Sequence, residues 1–277
     1  MSTAVVTNEL RLNSIADTAL ETAAGLWFLV AVIGQWAFLY YIVAFYGAST
    51  VTGNFQAWTR NIFLLKGYVA GDTAGNLAFA AHVLLAAIIA FGGAIQLIPQ
   101  IRTRAISIHR WNGRLFVLTA LGGSVSGLYM VWVRGARINL MSAVGVSLNA
   151  VLIILFAGLA WRSALRREIP THRLWALRLY LVANGQWFIR IGFMAWVLSR
   201  RLVGIGESFD GPFFLFWGFG SYLLPLAVLE LYLLAQESAG PRGRFAMAGG
   251  LVALTLLMGV GIVGFSTFMW NILPGPR

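Results

Sequence analysis

The sequence predicts an all-α polytopic bundle of seven transmembrane spans, built as one integral membrane domain over residues 1–277 with positions 1–24 as a tail. Three observations carry that prediction. The chain is 59% hydrophobic and only 10% charged. Its apolar runs repeatedly exceed the ~18 residues that mark a spanning helix. Its basic residues gather in short loops between those runs, the pattern that sets topology in a bilayer. The net charge of +11 therefore reads as a membrane-surface charge facing anionic lipid, not as a nucleic-acid footprint. Cysteine is absent, which excludes disulfides, thiolate metal sites, iron–sulfur clusters and haem attached through CxxCH. A histidine-ligated cofactor stays open.

Hydropathy places the spans at 25–46, 76–99, 114–133, 141–161, 173–199, 212–236 and 248–270. Glu9, Arg11, Asp17 and Glu21 precede a full-length apolar segment, unlike the basic n-region and short h-region of a cleaved signal peptide, so the N-terminus is expected to be retained. Alternate loops collect eleven basic residues on the N-terminal side (Arg11, Arg102, Arg104, Arg110, Arg114, Arg162, Arg166, Arg167, Arg173, Arg242, Arg244) and seven on the other (Arg60, Lys66, Arg134, Arg137, Arg200, Arg201, Arg277). The bias predicts a bacterial inner-membrane protein with a cytoplasmic N-terminus and a periplasmic C-terminus. In the long loop 47–75, the run FQAWTRNIFLLKGY mixes aromatic and basic residues and suits a short interfacial helix. Glycine clusters at 91–94, 122–127 and 259–264 read first as close helix packing.

An internal repeat is the most specific pattern. Arg104-Ala-Ile-Ser-Ile-His109-Arg110 and Arg167-Glu-Ile-Pro-Thr-His172-Arg173 both read R-x-I-x-x-H-R. The offset between the two copies is constant along the motif, and each copy opens a span of the same direction. Spans two–three and four–five are thus expected to be parallel repeats, a core of about 76–200, related by an axis along the membrane normal.

Ionisable groups inside spans are costly and mark candidate sites. On a continuous helix from Thr171 to Arg201, the ~100° turn per residue puts His172, Trp175, Gln186 and Arg190 on one stripe. His82, Asn149, Gln186 and Arg190 are expected at similar depth, where they form either a ligand pocket, for a quinone headgroup or a small anion, or an interhelical hydrogen-bond cluster. His109 and His172, symmetric in the repeat, are candidate ligands of one b-type haem, with Arg104, Arg110, Arg114, Arg167 and Arg173 as partners for its propionates or for anionic lipid. Against this stands the more ordinary role of an interfacial histidine at a helix start. Arg178 and Glu230 lie at matching depth on consecutive antiparallel spans and are expected to form a structural ion pair. Walker, dinucleotide-binding and HExxH signatures are missing, and no metal site or catalytic residue is assigned.

His82, the run RAISIHRWNGR (104–114) and THRLWALR (171–178) resemble a bacterial family of predicted multi-pass membrane proteins known only as a domain of unknown function. His82, His109, Arg110, Gly113, Arg114, His172, Arg173, Trp175 and Arg178 match its HRxxGR and HRxWxxR pattern, while Ala176 stands where members often carry methionine. The resemblance implies fold and membrane location and brings no reaction. Likeness to four-helix cytochrome b561-type cores is analogy of fold only, and three histidines in place of four weaken it. Three functional readings follow: a non-enzymatic accessory or interaction subunit that holds anionic lipid and contacts other membrane subunits; a redox protein with one haem or a quinone; a small-solute or anion transporter.

Overall fold

The computed structural model describes residues 3–60 and 66–272, and every regular element among them is helical. The main helices are α1 (Thr3–Tyr41), α2 (Ala48–Val51), α3 (Thr73–Leu97), α4 (Pro99–Arg104), α5 (Ile106–Trp132), α6 (Leu140–Leu165), α7 (Ile169–Ala183), α8 (Gly185–Arg200), α9 (Pro212–Ser238) and α10 (Pro241–Ile272). Six helices are long and apolar enough to cross a bilayer, and α7 with α8, bent by 52° at their junction, pass the same test as a pair, which gives seven crossings if the pair is one span. Helix starts follow local chemistry. Asp72 caps α3 by accepting from the Gly75 amide, Asn139 and Ser142 form a reciprocal capping box on α6, and prolines occupy the first turns of α4, α7 and α9, where no amide hydrogen is needed. The two copies of the repeated motif open α5 at Ile106 and α7 at Ile169, which hold the same place in the repeat.

The segment expected as a tail is helical from Thr3 onward and runs straight into the first span. From Glu9 to Val51 the helical path covers 43 residues, about 64 Å at the usual rise and twice a bilayer core. Its first half is held by packing: Leu20 and Ala23 are buried with Ala235 of α9 and Ala248 and Leu251 of α10, and Arg244 donates to Asp17 at 2.7 Å. Near its other end the helix widens into a π-helical segment, Ile42–Gly47. An i→i+5 turn brings Tyr41 and Tyr46 to the same side, which α-helical spacing would not. Beyond it, Phe55–Arg60 is a 3₁₀ turn whose buried Trp58 donates to Ser49 Oγ at 2.9 Å. The remainder of the expected interfacial helix, Asn61–Leu65, and Arg277 lie outside the described residues.

α3 packs along α5, α5 along α6 and α6 along α7, while α1 closes against both α3 and α10. The bend carries the chain from one neighbour to another, since α7 lies on α6 but α8 lies on α10. That second contact is close. A Cβ on Gly261 of α10 would collide with the Ile191 carbonyl of α8, so only glycine permits the approach.

At the end of the bundle opposite the R-x-I-x-x-H-R motifs, a polar clamp ties the 66–76 segment to the end of α5. Arg134 donates to Asp72 at 2.7 Å, to Asn76 at 2.8 Å and to the Gly67 carbonyl, and Lys66 donates to the Arg134 carbonyl at 2.7 Å. The Gly75 amide and then the Arg134 guanidinium hold the Asp72 carboxyl below its ordinary value of 3.8. A lowered folded-state pKa gives stability that is present above 3.8 and is lost as pH falls through the folded value. Protection of the 66–76 amides against exchange, relative to the intrinsic rate at each pH, is therefore expected to hold at neutral pH and to fall only below about pH 4. In Asp72→Asn that protection should already be low at neutral pH and show no further loss in acid.

Candidate functional site

The stretch 171–201 is not one straight helix. At Asn184 the backbone leaves helical geometry (φ −90°, ψ 7°). The Asn184 amide side chain donates to the Tyr180 carbonyl at 2.8 Å, and its own carbonyl accepts from both Trp187 and Phe188 at 2.9 Å. The Tyr180 carbonyl also keeps its main-chain donor, the Asn184 amide at 3.2 Å, so the side chain adds a second bond to that acceptor where the helix bends. With the 52° bend, the single stripe expected for His172, Trp175, Gln186 and Arg190 does not exist; the first two belong to α7 and the last two to α8.

Beyond the break, α8 has two chemically distinct faces. Gln186 and Arg190 share one. Phe188, Gly192 and Ala195 lie on the opposite side, by the ~100° step of the helix. Of the four residues singled out for a ligand pocket, Gln186 and Arg190 share this face, His82 is within electrostatic reach of Arg190, and Asn149 packs on Gly185 at the head of α8. Asn149 of α6 is 5% exposed and packs on Gly185, where an added Cβ would stand 2.8 Å from its Nδ2. Its Oδ1 is buried without a hydrogen-bond partner among the described residues. Gln186 follows, and its carbonyl accepts from Arg190 Nη1. The Arg190 guanidinium lies 5.5 Å from the centre of the Phe38 ring and within electrostatic reach of Tyr41, Tyr46 and His82. His82 Nδ1 is 3.0 Å from the Gly123 carbonyl, which only accepts, so this nitrogen carries the proton. The His82 ring sits against Gly127, which holds the place in the first repeat that Arg190 holds in the second.

The opposite face of α8 borders a cleft that was not expected from the sequence. It has a volume of about 380 Å³ and is walled by α1, α7, α8, α9 and α10 and by Leu97 at the end of α3, with Trp27, Leu181, Phe188, Trp217 and Leu257 among its lining residues. Among the described residues, Arg173 is its one charged lining residue, near Tyr232 at one end. Trp217 and Gly192 lie at the other, the Trp217 indole donating to the Ile189 carbonyl at 3.1 Å. Two features open the space. The bend swings α8 toward α10, and Pro225 interrupts the hydrogen-bond ladder of α9 along the cleft wall.

The histidines of the repeat sit at the heads of α5 and α7, close enough for the charge of one to act on the other. They differ in anchoring. His172 Nδ1 donates to the Ala160 carbonyl of α6 at 2.9 Å, whereas His109 Nδ1 is buried with no partner among the described residues, as is Gln96 Oε1. A haem ligand needs its second nitrogen fixed by such a contact, and only His172 has one. Neither lines the cleft. Of the arginines proposed for propionates or lipid, Arg104, Arg110, Arg114 and Arg167 lie at the surface of this end, Arg114 stacking on Trp111 at 4.8 Å, and Arg173 alone reaches the cleft.

Arg178 and Glu230 form a bidentate pair, with Nε to Oε1 at 2.7 Å and Nη2 to Oε2 at 2.9 Å, while the guanidinium also covers the Trp175 ring at 4.8 Å. Charge reversal at either position alone, Arg178→Glu or Glu230→Arg, is expected to lower the melting temperature in detergent by several degrees. The double swap should recover most of the loss, because a pair is restored; equal loss in the double variant would show that the contact carries no coupling.

No curated protein and no solved structure matches this chain. Residues 79–209, which hold His82, both R-x-I-x-x-H-R motifs, Asn149, the α7–α8 break and Arg190, match the family model described as Predicted membrane protein (DUF2306), a multi-pass membrane family of unknown function of the kind that the histidine–arginine motifs resemble.

Proposed function

We propose that this multi-pass membrane protein is a non-enzymatic lipid-binding subunit that holds an anionic phospholipid in the cleft between α1 and α7–α10. The observation that supports this most directly is the cleft lining: apolar along its whole length, with Arg173 as its one charged member among the described residues. Along α9 it extends from Trp217 to Tyr232, about 22 Å at helical rise, the scale of one acyl chain. A chain lying there would exchange lipid contacts for a tight aromatic and aliphatic wall, and its phosphate would meet Arg173 in a charge-assisted hydrogen bond. The charge at the mouth favours an anionic headgroup over a neutral quinone, which offers Arg173 only a carbonyl.

The protein purified in mild detergent and analysed by native mass spectrometry is expected to retain one phosphatidylglycerol- or cardiolipin-class molecule. Arg173→Gln should reduce that retention about tenfold, equivalent to the loss of ~1.4 kcal/mol. Leu257→Trp places bulk in the cleft from a residue that is 53% exposed; it should abolish retention without altering the fold. Equal retention of phosphatidylglycerol and phosphatidylcholine, or retention unchanged in Leu257→Trp, would refute the reading. A quinone mass in place of the lipid would do so as well.

A further inference from the structure

The end of the lipid cleft remote from Arg173 is shut by an aromatic wall. The Trp217 indole of α9 lies directly on the α8 backbone at Gly192, where an added Cβ would collide with the ring. Glycine alone leaves room for it. The ring is also held in place by its polar atom, since Nε1 donates to the Ile189 carbonyl of α8 at 3.1 Å. Phe213 stands parallel to it, at 9° and with ring centres 6.2 Å apart, and Trp196 of α8 stacks on Phe213 at 4.0 Å and 7°. Both outer rings are anchored in turn. Trp196 Nε1 donates to the Val203 carbonyl at 2.7 Å, and the Phe213 amide donates to the Gly204 carbonyl at 2.9 Å. Three parallel rings from two helices therefore form one fixed block.

Trp217 is the first residue of α9 to line the cleft, and the other lining residues of that helix, Leu224 to Tyr232, run from it toward the Arg173 end. A charged end and a closed aromatic end thus face each other across about 22 Å at helical rise. A lipid whose phosphate is fixed at Arg173 has its chain end fixed by that distance. Moving a chain from bilayer to cleft exchanges one set of apolar contacts for another, so added methylenes change little until the wall is met. A chain that stops short leaves part of the cleft without partner atoms. One that is too long has to fold back or drive the indole out of its stack, and packed interiors resist both.

We propose that Trp217 is a chain-length stop, so that the cleft selects an anionic phospholipid whose acyl chain spans the distance from Arg173 to the indole. This rests on the lipid reading and adds chain length to headgroup charge as a property that the site selects. Gly192 and the Ile189 carbonyl are positioning groups that act through the ring.

The test offers the purified full-length protein, in mild detergent, an equimolar mixture of three phosphatidylglycerols and reads the bound lipid by native mass spectrometry. One has chains matched to the cleft, one has markedly shorter chains and one markedly longer. Wild type is expected to retain the matched lipid about tenfold over the long one, the low end of what a misfit methylene costs in an apolar pocket. Trp217→Ala should bring the long lipid level with the matched one. Leu224 lines the cleft and is 43% exposed, so Leu224→Trp adds bulk without disturbing the core and moves the stop about 10 Å toward Arg173. Its preference should pass to the short lipid, a gain that carries the test independently of Trp217→Ala. Arg173→Gln should lower retention of all three alike, because it acts on the headgroup. Wild type that retains none of the three overturns the lipid reading and the stop together. Equal retention of all three by wild type, or the wild-type preference persisting in either tryptophan variant, leaves the lipid reading standing and overturns the stop.

Discussion

The hydrogen bond from the Asn184 side chain to the Tyr180 carbonyl, at 2.8 Å, is the contact from which the rest of this structure follows. It adds a side-chain donor to an acceptor that also takes the Asn184 main-chain amide at 3.2 Å, and the chain turns by 52° there. Without the turn, α8 would continue along α6. With it, α8 crosses to α10, where Gly261 admits the Ile191 backbone at close range. The turn thus decides which helices α8 meets.

The bend also separates two environments across the width of one helix. On one side α8 turns Phe188, Gly192 and Ala195 to a long apolar cleft whose far wall is α9. On the other it presents Gln186 and Arg190 toward His82 and the tyrosines of the π-helical segment. A lipid chain requires the first kind of surface. The common origin of the two is a broken crossing, the device by which membrane proteins place helix ends, and so partial charges, at membrane depth.

The fold class was legible because hydropathy is integrated over ~20 residues and survives local irregularity. The heads of α5 and α7 were legible too, since Ile106 and Ile169 hold the same place in the two R-x-I-x-x-H-R motifs. The break was not. Asn184-Gly185 sits in an apolar run whose mean hydropathy barely registers the pair, and a periodicity argument assumes the straight helix that they interrupt. The cleft was invisible for a related reason: its lining comes from six helices and its volume from the angles between them. Depth along neighbouring spans can be counted from sequence, and it is all that an ion pair such as Arg178 with Glu230 requires. The Asp72–Arg134 clamp joins positions far apart in the chain across a loop, and nothing in their local patterns links them.

The most direct test of this account is a native mass spectrum of Asn184→Leu beside that of wild type. Leucine cannot donate to Tyr180, so α7 and α8 should run straight and the cleft should close. The account predicts a folded, monodisperse variant that no longer carries the anionic phospholipid held by wild type. An Asn184→Leu protein that keeps the lipid at wild-type occupancy would contradict the claim that the break builds the site.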